Sequence, residues 1–416
     1  MRRFLITLSV CLSIIYRGFT PLSIFFNGGR ALSMLVPVLI LYLLGGLHKS
    51  WNYNIAIVIS LFPLFLSYIG VEYFDGYLPD SVSILFAIGC MEYYFRTKDD
   101  KFVKYSLIAA YGSLIALALV SLPILIQEPG LNRAIRNMAE EGREIPVHAY
   151  FTISYAAVHA VPILVIPLYL LYRCVISRLF KFFLIISIIA LYVTTVLSNA
   201  ATPMFMLFMY VLFVILYNPK KSINSNTIRL GGVTVILLIF FYSGFITQLL
   251  QGFQSFVSGT MQEKRIEEVI GFIETGETSG DMSSREGHYN TSLDAFLSHP
   301  FTPEYNIKYI GKHSYLLDHL TAMGLIAFIP FALLLYYRYR RPMRQMTTMQ
   351  AYHVMAYSAF IFLASFKNFF SVEAAMFVCP ALIIYLNRKL LDRSQSCPQK
   401  AKKLKMLSED QGYPIG

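Results

Sequence analysis

An arginine in a long polar segment has the residue type and the position to bind an anion. Arg285 belongs to a helical pattern that starts at the capping-box sequence SSRE, residues 283–286. Arg285 also lies one turn before Tyr289, on the apolar stripe that continues through Leu293, Phe296 and Leu297. The first turn of a helix favours an anion, so a guanidinium there indicates a bound phosphate or carboxylate. The alternatives are a pair with Glu286 or an arginine that reaches the membrane interface.

A histidine at the start of a later apolar stretch could act on a hydroxyl group. Residues 313–324 read HSYLLDHLTAMG, and on one continuous helix His313 and Gly324 would share a face, about 16 Å apart. Gly324 would then let a neighbouring helix approach closely, with His313 above that contact at the membrane surface. A neutral histidine accepts protons from hydroxyls near neutral pH. The alternative is a histidine that only caps the helix or lies at the interface.

The spacing of these motifs resembles the signature of the O-antigen ligase and polymerase superfamily, which contains the Wzy-type polymerases and the WaaL-type ligases. The resemblance is carried by REGHY (285–289), by AFLSHPF (295–301), and by His313-Ser314 with nine residues before Gly324. It is close over residues 283–330 and loose over the rest of the chain.

The resemblance implies an all-α, GT-C-like membrane glycosyltransferase in the inner (plasma) membrane of a bacterium. Its substrates would be polyprenyl-diphosphate-linked oligosaccharides. Arg285 would stabilise the leaving diphosphate, His313 would position or deprotonate the acceptor hydroxyl, Tyr289 would contact substrate and Gly324 would be structural. No cofactor or metal is implied, because cationic side chains can supply the charge that a metal would bring. The implied partners are the lipid bilayer and a chain-length regulator, and no nucleic acid.

The sequence departs from the family where a second phosphate-binding arginine is usual. The span that often carries a Ser-Arg pair reads SNAAT here, residues 198–202, and the outer loops lack an arginine with a leucine four residues on. Another arginine would have to contribute. The candidates for substrate binding are Arg133, Arg136 and Arg143 in the first outer loop, and also Arg17 and Arg30.

The composition places these motifs in a membrane protein. Of the 416 residues, 56% are hydrophobic and 14% charged, whereas a soluble domain has roughly 45–50% and roughly 25%. This excludes a soluble globular enzyme. The five cysteines have no metal-ligand spacing. The apolar stretches predict twelve membrane-spanning helices, near residues 4–26, 31–47, 53–70, 81–95, 104–126, 150–172, 179–197, 199–217, 230–248, 314–337, 351–369 and 371–387.

The basic residues predict the orientation of these spans. With the N-terminus in the cytoplasm, the inner connections hold 24 Lys and Arg and the outer ones hold 9, which is the asymmetry of the positive-inside rule. We therefore predict one polytopic domain over residues 1–416 with both termini cytoplasmic. Residues 249–312 would form a large helical periplasmic loop between spans 9 and 10, and residues 388–416 a basic cytoplasmic tail.

Apolar spacing predicts two helices within that loop. Ile266, Val269, Ile270 and Ile273 recur at i, i+3, i+4 and i+7, as in an amphipathic helix on a membrane surface. The second helix is expected to run from the capping box to Ser298, because His299-Pro300 stops it.

Three other functions compete with the favoured one, a polymerase of O-antigen or capsular polysaccharide. A WaaL-type ligase is the first alternative within the family. A flippase for lipid-linked oligosaccharides is the second, since twelve spans are also a common transporter layout; transporters, however, tend to carry paired ionisable residues at mid-membrane and internal repeats. A receptor or scaffold is the third, and it would not need an arginine on an apolar stripe.

Overall fold

The protein is helical throughout the part of the chain that its structure describes. The computed structural model describes residues 1–19, 21–22, 30–140, 143–175, 177–216, 232, 235, 245–254, 261–275, 279–344, 349–366 and 377–395. No β-strand occurs among these residues. The predicted all-α class is thereby confirmed for them. Most of the predicted span 230–248, the start of the span 371–387 and most of the basic tail lie outside the described residues.

Fifteen α-helices are present in the described ranges. In chain order they are α1 (Arg2–Gly18), α2 (Arg30–Leu43), α3 (Trp51–Tyr68), α4 (Leu78–Thr97), α5 (Asp100–Gln127), α6 (Leu131–Glu140), α7 (Tyr155–Cys174), α8 (Arg178–Leu197), α9 (Ala201–Leu216), α10 (Phe245–Gln254), α11 (Met261–Thr275), α12 (Gly280–Ser298), α13 (Tyr315–Arg344), α14 (Gln350–Phe366) and α15 (Cys379–Gln395). Short 3-10 helices cover Leu47–Lys49, Glu72–Phe74, Val147–Phe151 and Ile307–Tyr309.

Five of these helices are long and apolar enough to cross a bilayer. They are Trp51–Tyr68, Asp100–Gln127, the part of α7 from Ala157 to Cys174, Arg178–Leu197 and Tyr315–Arg344. Shorter apolar helices occur at Leu32–Leu43 and Thr202–Val211. Many large hydrophobic side chains on these helices are exposed, as expected for surfaces that face lipid. The protein therefore has the composition of a helical membrane protein.

The chain divides into two compact units. The first contains Met1–Met204 and Thr291–Leu391, and the second contains Phe205–Asn290 and Asp392–Gly416. In the first unit the helices pack pairwise in a closed cycle, in the order α1, α2, α4, α3, α13, α14, α7, α8, α5 and back to α1. Helix α4 is buried continuously from Ser81 to Phe95, which explains its apolar sequence on all faces.

The two helices predicted in the long polar segment are both present, with one difference in extent. Helix α11 covers Met261–Thr275, and α12 ends at Ser298, directly before His299-Pro300, as predicted. However, α12 begins at Gly280 rather than at the capping box. Gly280 has a φ of 54°, which glycine adopts readily, and a Cβ there would overlap the carboxylate of Glu268. Arg285 therefore lies in the second helical turn, and the prediction that it lies in the first was wrong.

Candidate functional site

A buried carboxylate joins the end of α12 to the start of α13. Asp318 is 1% exposed, and its two oxygens accept different hydrogen bonds. The Ser292 hydroxyl donates to Oδ1 at 2.7 Å, and the backbone N–H of Ser314 donates to Oδ2 at 2.9 Å. Ser292 Oγ in turn accepts the N–H of Gly311 at 2.8 Å. Ser292 on α12 thus bonds both to the loop before α13, at Gly311, and to α13 itself, at Asp318.

Ser314 is the N-cap residue that directly precedes α13. Its hydroxyl accepts the N–H of Leu317 at 3.1 Å, while Asp318 reaches back to its own N–H, so the two side chains form a reciprocal cap. The helix begins at Tyr315. His313 consequently lies before the cap, and its predicted position on a continuous helix with Gly324 was wrong.

Gly324 breaks α13 rather than admitting a neighbouring helix. Its φ of 66° and ψ of 165° are not helical. A Cβ on this residue would lie 2.8 Å from backbone atoms of Phe301 and Thr302, and the N–H of Leu325 donates to the carbonyl of Pro300 at 2.9 Å. At Gly324 the chain makes room for the backbone of the loop that follows α12, and not for the neighbouring helix that the sequence led us to expect. Only glycine combines this backbone conformation with so close an approach.

His313 occupies a well-defined backbone position with a partly accessible side chain. The preceding residue, Lys312, has a φ of 60°, which is uncommon for a residue with a side chain. The neighbours Gly311 and Ser314 are both buried, whereas His313 itself is half-buried. Ser292 and Asp318 bond to the backbone N–H groups of Gly311 and Ser314, and these bonds therefore fix the backbone position of His313.

A second histidine, which the motif analysis did not single out, is enclosed by aromatic rings. His319 is 1% exposed and its Nδ1 lies 2.7 Å from the carbonyl of Tyr315, so Nδ1–H donates to that oxygen. Nε2 then accepts from the Tyr77 hydroxyl at 2.8 Å, which fixes the neutral tautomer. The Phe331 ring stacks on the imidazole at a centroid distance of 5.5 Å. The signal in the sequence was an Asp-His pair, residues 318–319, within an otherwise apolar stretch.

The hydroxyls around His319 form a short chain. The Tyr77 and Tyr315 oxygens are 3.2 Å apart, and the Tyr73 hydroxyl lies 3.4 Å from His319 Nδ1. Burial raises the pKa of Tyr77 well above its usual range, and the nearby Tyr315 and Asp80 raise it further. Burial also raises the pKa of Tyr73 well above its usual value, with an added effect from Asp318. Tyr77 therefore stays protonated at physiological pH and donates to His319 Nε2, whereas the Tyr73 oxygen faces Nδ1–H and can only accept from it.

The loop before α4 also contacts the loop after α12. The N–H of Glu72 donates to the carbonyl of Tyr305 at 3.1 Å, and Glu72 Oε2 accepts the N–H of Ile307 at 3.1 Å. We call residues 67–80 together with 291–324 the tyrosine–histidine end of the first unit. It gathers two segments that are more than 200 positions apart in the sequence.

Residues 128–149, which the sequence predicts to be the first outer loop, are attached to the turn at Ser198-Asn199. The N–H of Gly130 donates to the carbonyl of Leu197 at 2.8 Å, and the amide of Asn132 donates to Ser198 Oγ at 2.9 Å. Gly130 has a φ of 82°, and a Cβ there would lie 2.9 Å from the Asn199 side chain. The loop therefore packs on the SNAAT segment, where the resembling family often has an arginine.

The candidate arginines of that loop follow Asn132 within eleven positions of the sequence. Arg133 directly follows Asn132 in α6, and Arg136 comes one helical turn after it. Arg143 follows the helix and is exposed, and its N–H donates to the carbonyl of Met138 at 2.8 Å. Arg17 is half-buried at the end of α1, and Arg30 begins α2.

Arg285 and Tyr289 are both half-buried on α12, four residues apart on one face. They belong to the second unit, whereas His313 and Gly324 belong to the first. The grouping of Arg285 with His313 in one site therefore remains a prediction. Among the described residues, no cluster of histidine, cysteine, aspartate and glutamate side chains has the arrangement of a metal site.

Comparison of the chain with protein-family models and with curated proteins finds no match.

Proposed function

We propose that this chain polymerises a bacterial surface polysaccharide, an O-antigen or a capsule, from polyprenyl-diphosphate-linked repeat units. The observation that carries the proposal is the contact between two separate parts of the signature. The Pro300-Phe301 backbone packs on Gly324, and Leu325 donates to Pro300. Spacing alone relates these residues in the sequence. Their contact brings the two parts of the signature together in this chain, and this supports the proposal.

The proposed reaction transfers the growing glycan to the non-reducing end of a new repeat unit. The acceptor hydroxyl oxygen attacks the anomeric carbon of the donor sugar, and the bond from that carbon to the diphosphate oxygen breaks. His313 takes the proton of the attacking hydroxyl. The polyprenyl diphosphate leaves with the bonding electron pair, and Arg285 stabilises its negative charge. Tyr289, one turn away from Arg285, contacts the glycan.

A second cation for the diphosphate would come from the first outer loop. Arg133, Arg136 and Arg143 are the candidates, and the attachment of this loop to the Ser198-Asn199 turn supports them. The O-antigen ligase and polymerase superfamily often has an arginine at the position of that turn. A segment that packs on the turn could therefore supply the positive charge that this chain lacks there. Several cationic side chains in place of a metal ion suit a leaving diphosphate, since each guanidinium can bind two of its oxygens.

The proposal places the chain in the bacterial inner membrane with twelve spans and a GT-C-like arrangement. Both termini would be cytoplasmic, and residues 249–312 would face the periplasm, where a chain-length regulator could contact them. The five long apolar helices support the membrane location. A cysteine reporter tests the orientation in a cysteine-free background. Ser279→Cys should react with an impermeant thiol reagent in spheroplasts, and Lys104→Cys should not; the reverse result would contradict the proposed topology.

A WaaL-type ligase is the alternative within the family. We favour a polymerase because the chain lacks both the Ser-Arg pair and the outer Arg-x-x-x-Leu that many ligases have. Deletion distinguishes the two. Loss of a polymerase leaves a surface glycan of one repeat unit, since a separate ligase still transfers it. Loss of the ligase leaves bare lipid A core while polymerised glycan accumulates on the polyprenyl carrier.

One observation favours a flippase as a second candidate. Transporters bind substrates at broken helices, and α13 is broken at Gly324 close to the buried Asp318 and His319. Two contacts oppose this candidate. The gap in the helix is filled by the 301–302 backbone, and Pro300 accepts the N–H of Leu325 that the break exposes. A flippase deletion would leave repeat units on the cytoplasmic face, with no glycan of any length at the surface.

Substitutions in a complemented deletion strain test the proposed roles, with glycan length followed by gel electrophoresis. Arg285→Ala and His313→Ala should each abolish extension at normal protein levels. Arg285→Lys should restore little, because a point charge cannot replace the bidentate guanidinium. Arg136→Ala should have an intermediate effect if the loop arginines act together.

Matched controls separate a site effect from general damage. His148→Ala removes an exposed histidine that pairs with Glu128 at 3.3 Å, and it should leave extension unchanged. Arg178→Ala removes an exposed arginine at the start of α8, with the same expectation. Near-normal extension in His313→Ala would show that His313 is not the base.

A further inference from the structure

A basic pocket of about 400 Å³ lies at the end of the first unit that holds Arg96. The pocket is lined by three basic side chains and a histidine, Arg2, Lys49, Arg96 and His48. The turn at residues 43–46 completes the lining. All four side chains are exposed. No acidic side chain is among the described residues that line the pocket. No carboxylate among these lining residues therefore offsets the positive charge of the cluster.

The turn between α2 and the 3-10 helix Leu47–Lys49 holds the two arginines in place. Gly46 has a φ of 74°, the left-handed conformation common after a helix end, and this conformation shapes the turn around its carbonyls. Arg96 Nη1 donates to the carbonyl of Gly46 at 2.7 Å, and Arg2 Nε donates to the carbonyl of Leu44. Arginines from the first and fourth helices thus meet on one turn.

Each guanidinium keeps most of its donors for a ligand. Arginine has five N–H donors in a planar fork, and the bonds to Leu44 and Gly46 are the hydrogen bonds that these arginines make to described residues. The acid that precedes Arg96 by one turn, Glu92, is engaged elsewhere: it accepts from Ser50 at 3.1 Å and pairs with Arg341 at 2.7 Å. The backbone carbonyls orient the two arginines without neutralising them.

Apolar side chains lie beside these charges. Leu43 and Leu44 line the same pocket, and Leu43 is 62% exposed. Trp51, two residues after Lys49, is 76% exposed at the start of a helix that is long and apolar enough to span a membrane. Tryptophan and basic side chains in this position are typical of the boundary between headgroups and acyl chains.

We propose that this pocket binds the phosphate of an anionic phospholipid, with Arg2 and Arg96 on the phosphate oxygens and Leu43 and Leu44 against the acyl chain. The site is separate from the tyrosine–histidine end and does not depend on the proposed polymerase activity. A soluble phosphate has the same headgroup chemistry but leaves the exposed leucines uncovered, which is why the lipid is favoured.

The chain carries its own probe for this test, because Trp51 is its single tryptophan. Full-length protein in detergent micelles is titrated with dihexanoyl phosphatidylglycerol, and Trp51 emission is recorded. Native mass spectrometry of the same samples counts retained lipid, so binding is detected even where the emission does not change. We expect saturable binding to the wild type. Arg2→Gln/Arg96→Gln should weaken it about tenfold, as loss of charge-assisted hydrogen bonds predicts.

A matched variant controls for net charge. Lys264→Gln/Arg178→Gln removes two exposed basic residues, one on α11 and one at the start of α8, that do not line the pocket, and it should leave the affinity within about twofold. Thermal unfolding of both double variants checks that they are folded. Arg2→Lys/Arg96→Lys keeps the charge without the planar fork, and it should bind with intermediate affinity.

Two further ligands separate the possible sources. If inorganic phosphate alone binds with the same dependence on Arg2 and Arg96, and the lipid adds nothing, the phosphate chemistry stands and the lipid assignment is overturned. If dihexanoyl glycerol, which has no phosphate, binds as well as the phospholipid, binding is only hydrophobic and the proposal fails. It also fails if neither readout detects phosphatidylglycerol, or if the control variant weakens binding equally.

Discussion

Among the described residues of the first unit, one carboxylate is buried at each end, and the two carboxylates have different hydrogen-bond partners. At the tyrosine–histidine end, Asp318 accepts from a serine hydroxyl and a backbone N–H. At the other end, Glu92 is 4% exposed as a side chain and pairs with Arg341 at 2.7 Å, with Ser50 on its second oxygen. We call this second region the basic end; it comprises residues 2, 44–50, 92–104, 341 and 388–389.

The basic end contains further ion pairs and cation–π contacts. Arg388 contacts Asp100 at 2.8 Å, and Arg341 lies 4.7 Å from the centre of the Phe95 ring. Burial lowers the pKa of Lys98, and the positive charges of Arg388 and Arg341 lower it further. The tyrosine–histidine end instead depends on short, directional hydrogen bonds and on a backbone contact at Gly324. Directional hydrogen bonds and close backbone packing therefore stabilise one end, and charge interactions stabilise the other.

Gly324→Ala should be the most damaging small substitution at the tyrosine–histidine end. We expect about 3 kcal/mol of lost unfolding free energy, because a left-handed conformation and a clash with the 301–302 backbone add together. Denaturant titration of the detergent-solubilised protein, followed by circular dichroism, measures the loss. Gly112→Ala is the matched control. Gly112 lies on the exposed side of α5, and an added Cβ would meet nothing within 4 Å. The substitution should therefore be neutral or slightly stabilising. Equal effects would contradict the proposed role of Gly324.

Asp318→Asn and Glu92→Gln compare the two buried carboxylates directly. An asparagine presents an oxygen at only one end, so it cannot accept from both Ser292 and Ser314. We expect Asp318→Asn to cost about 2 kcal/mol. Glu92→Gln should cost about 1 kcal/mol, since Arg341 is 40% exposed and water can solvate it. The same denaturant titration measures both. A larger loss in Glu92→Gln would reverse the comparison.

A double-mutant cycle tests the hydrogen bond between Tyr77 and His319. Tyr77→Phe and His319→Phe should be coupled by about 1 kcal/mol, because each removes one partner of a buried 2.8 Å bond. Phe74 provides the control pair, since its ring contacts His319 at a centroid distance of 5.6 Å without a hydrogen bond. The cycle of Phe74→Leu with His319→Phe should show a smaller coupling. Additive effects of Tyr77 and His319 would mean that the bond contributes nothing.

Arg388→Gln should have the smallest effect. The Arg388 and Asp100 side chains are 39% and 32% exposed, so solvent screens their attraction and the loss should be about 0.5 kcal/mol. Raising the salt concentration should remove most of this difference between variant and wild type. Unfolding midpoints at low and high salt measure it. A salt-independent loss would indicate packing by the arginine stem instead of charge.

Much of the secondary structure was predictable, because apolar runs long enough to span a bilayer favour helices whatever surrounds them. Helices α3, α5, α8 and α14 each begin and end within a few residues of a predicted span. The end of α12 at Ser298 was also predictable, since the proline two residues on prevents continuation. The motif residues Arg285, His313 and Gly324 were identifiable by type and spacing, while the catalytic roles of Arg285 and His313 stay predictions.

The sequence by itself determined the helical class, the membrane-like composition and the local signals for helix ends, because these depend on residues close together in the chain. Only the tertiary structure decided why residue 324 must be glycine, since the obstacle is the backbone of Phe301 and Thr302. It also decided the partners of Asp318 and His319. Ser292 and Tyr77 approach them from distant segments, and hydropathy patterns contain no information about such pairing.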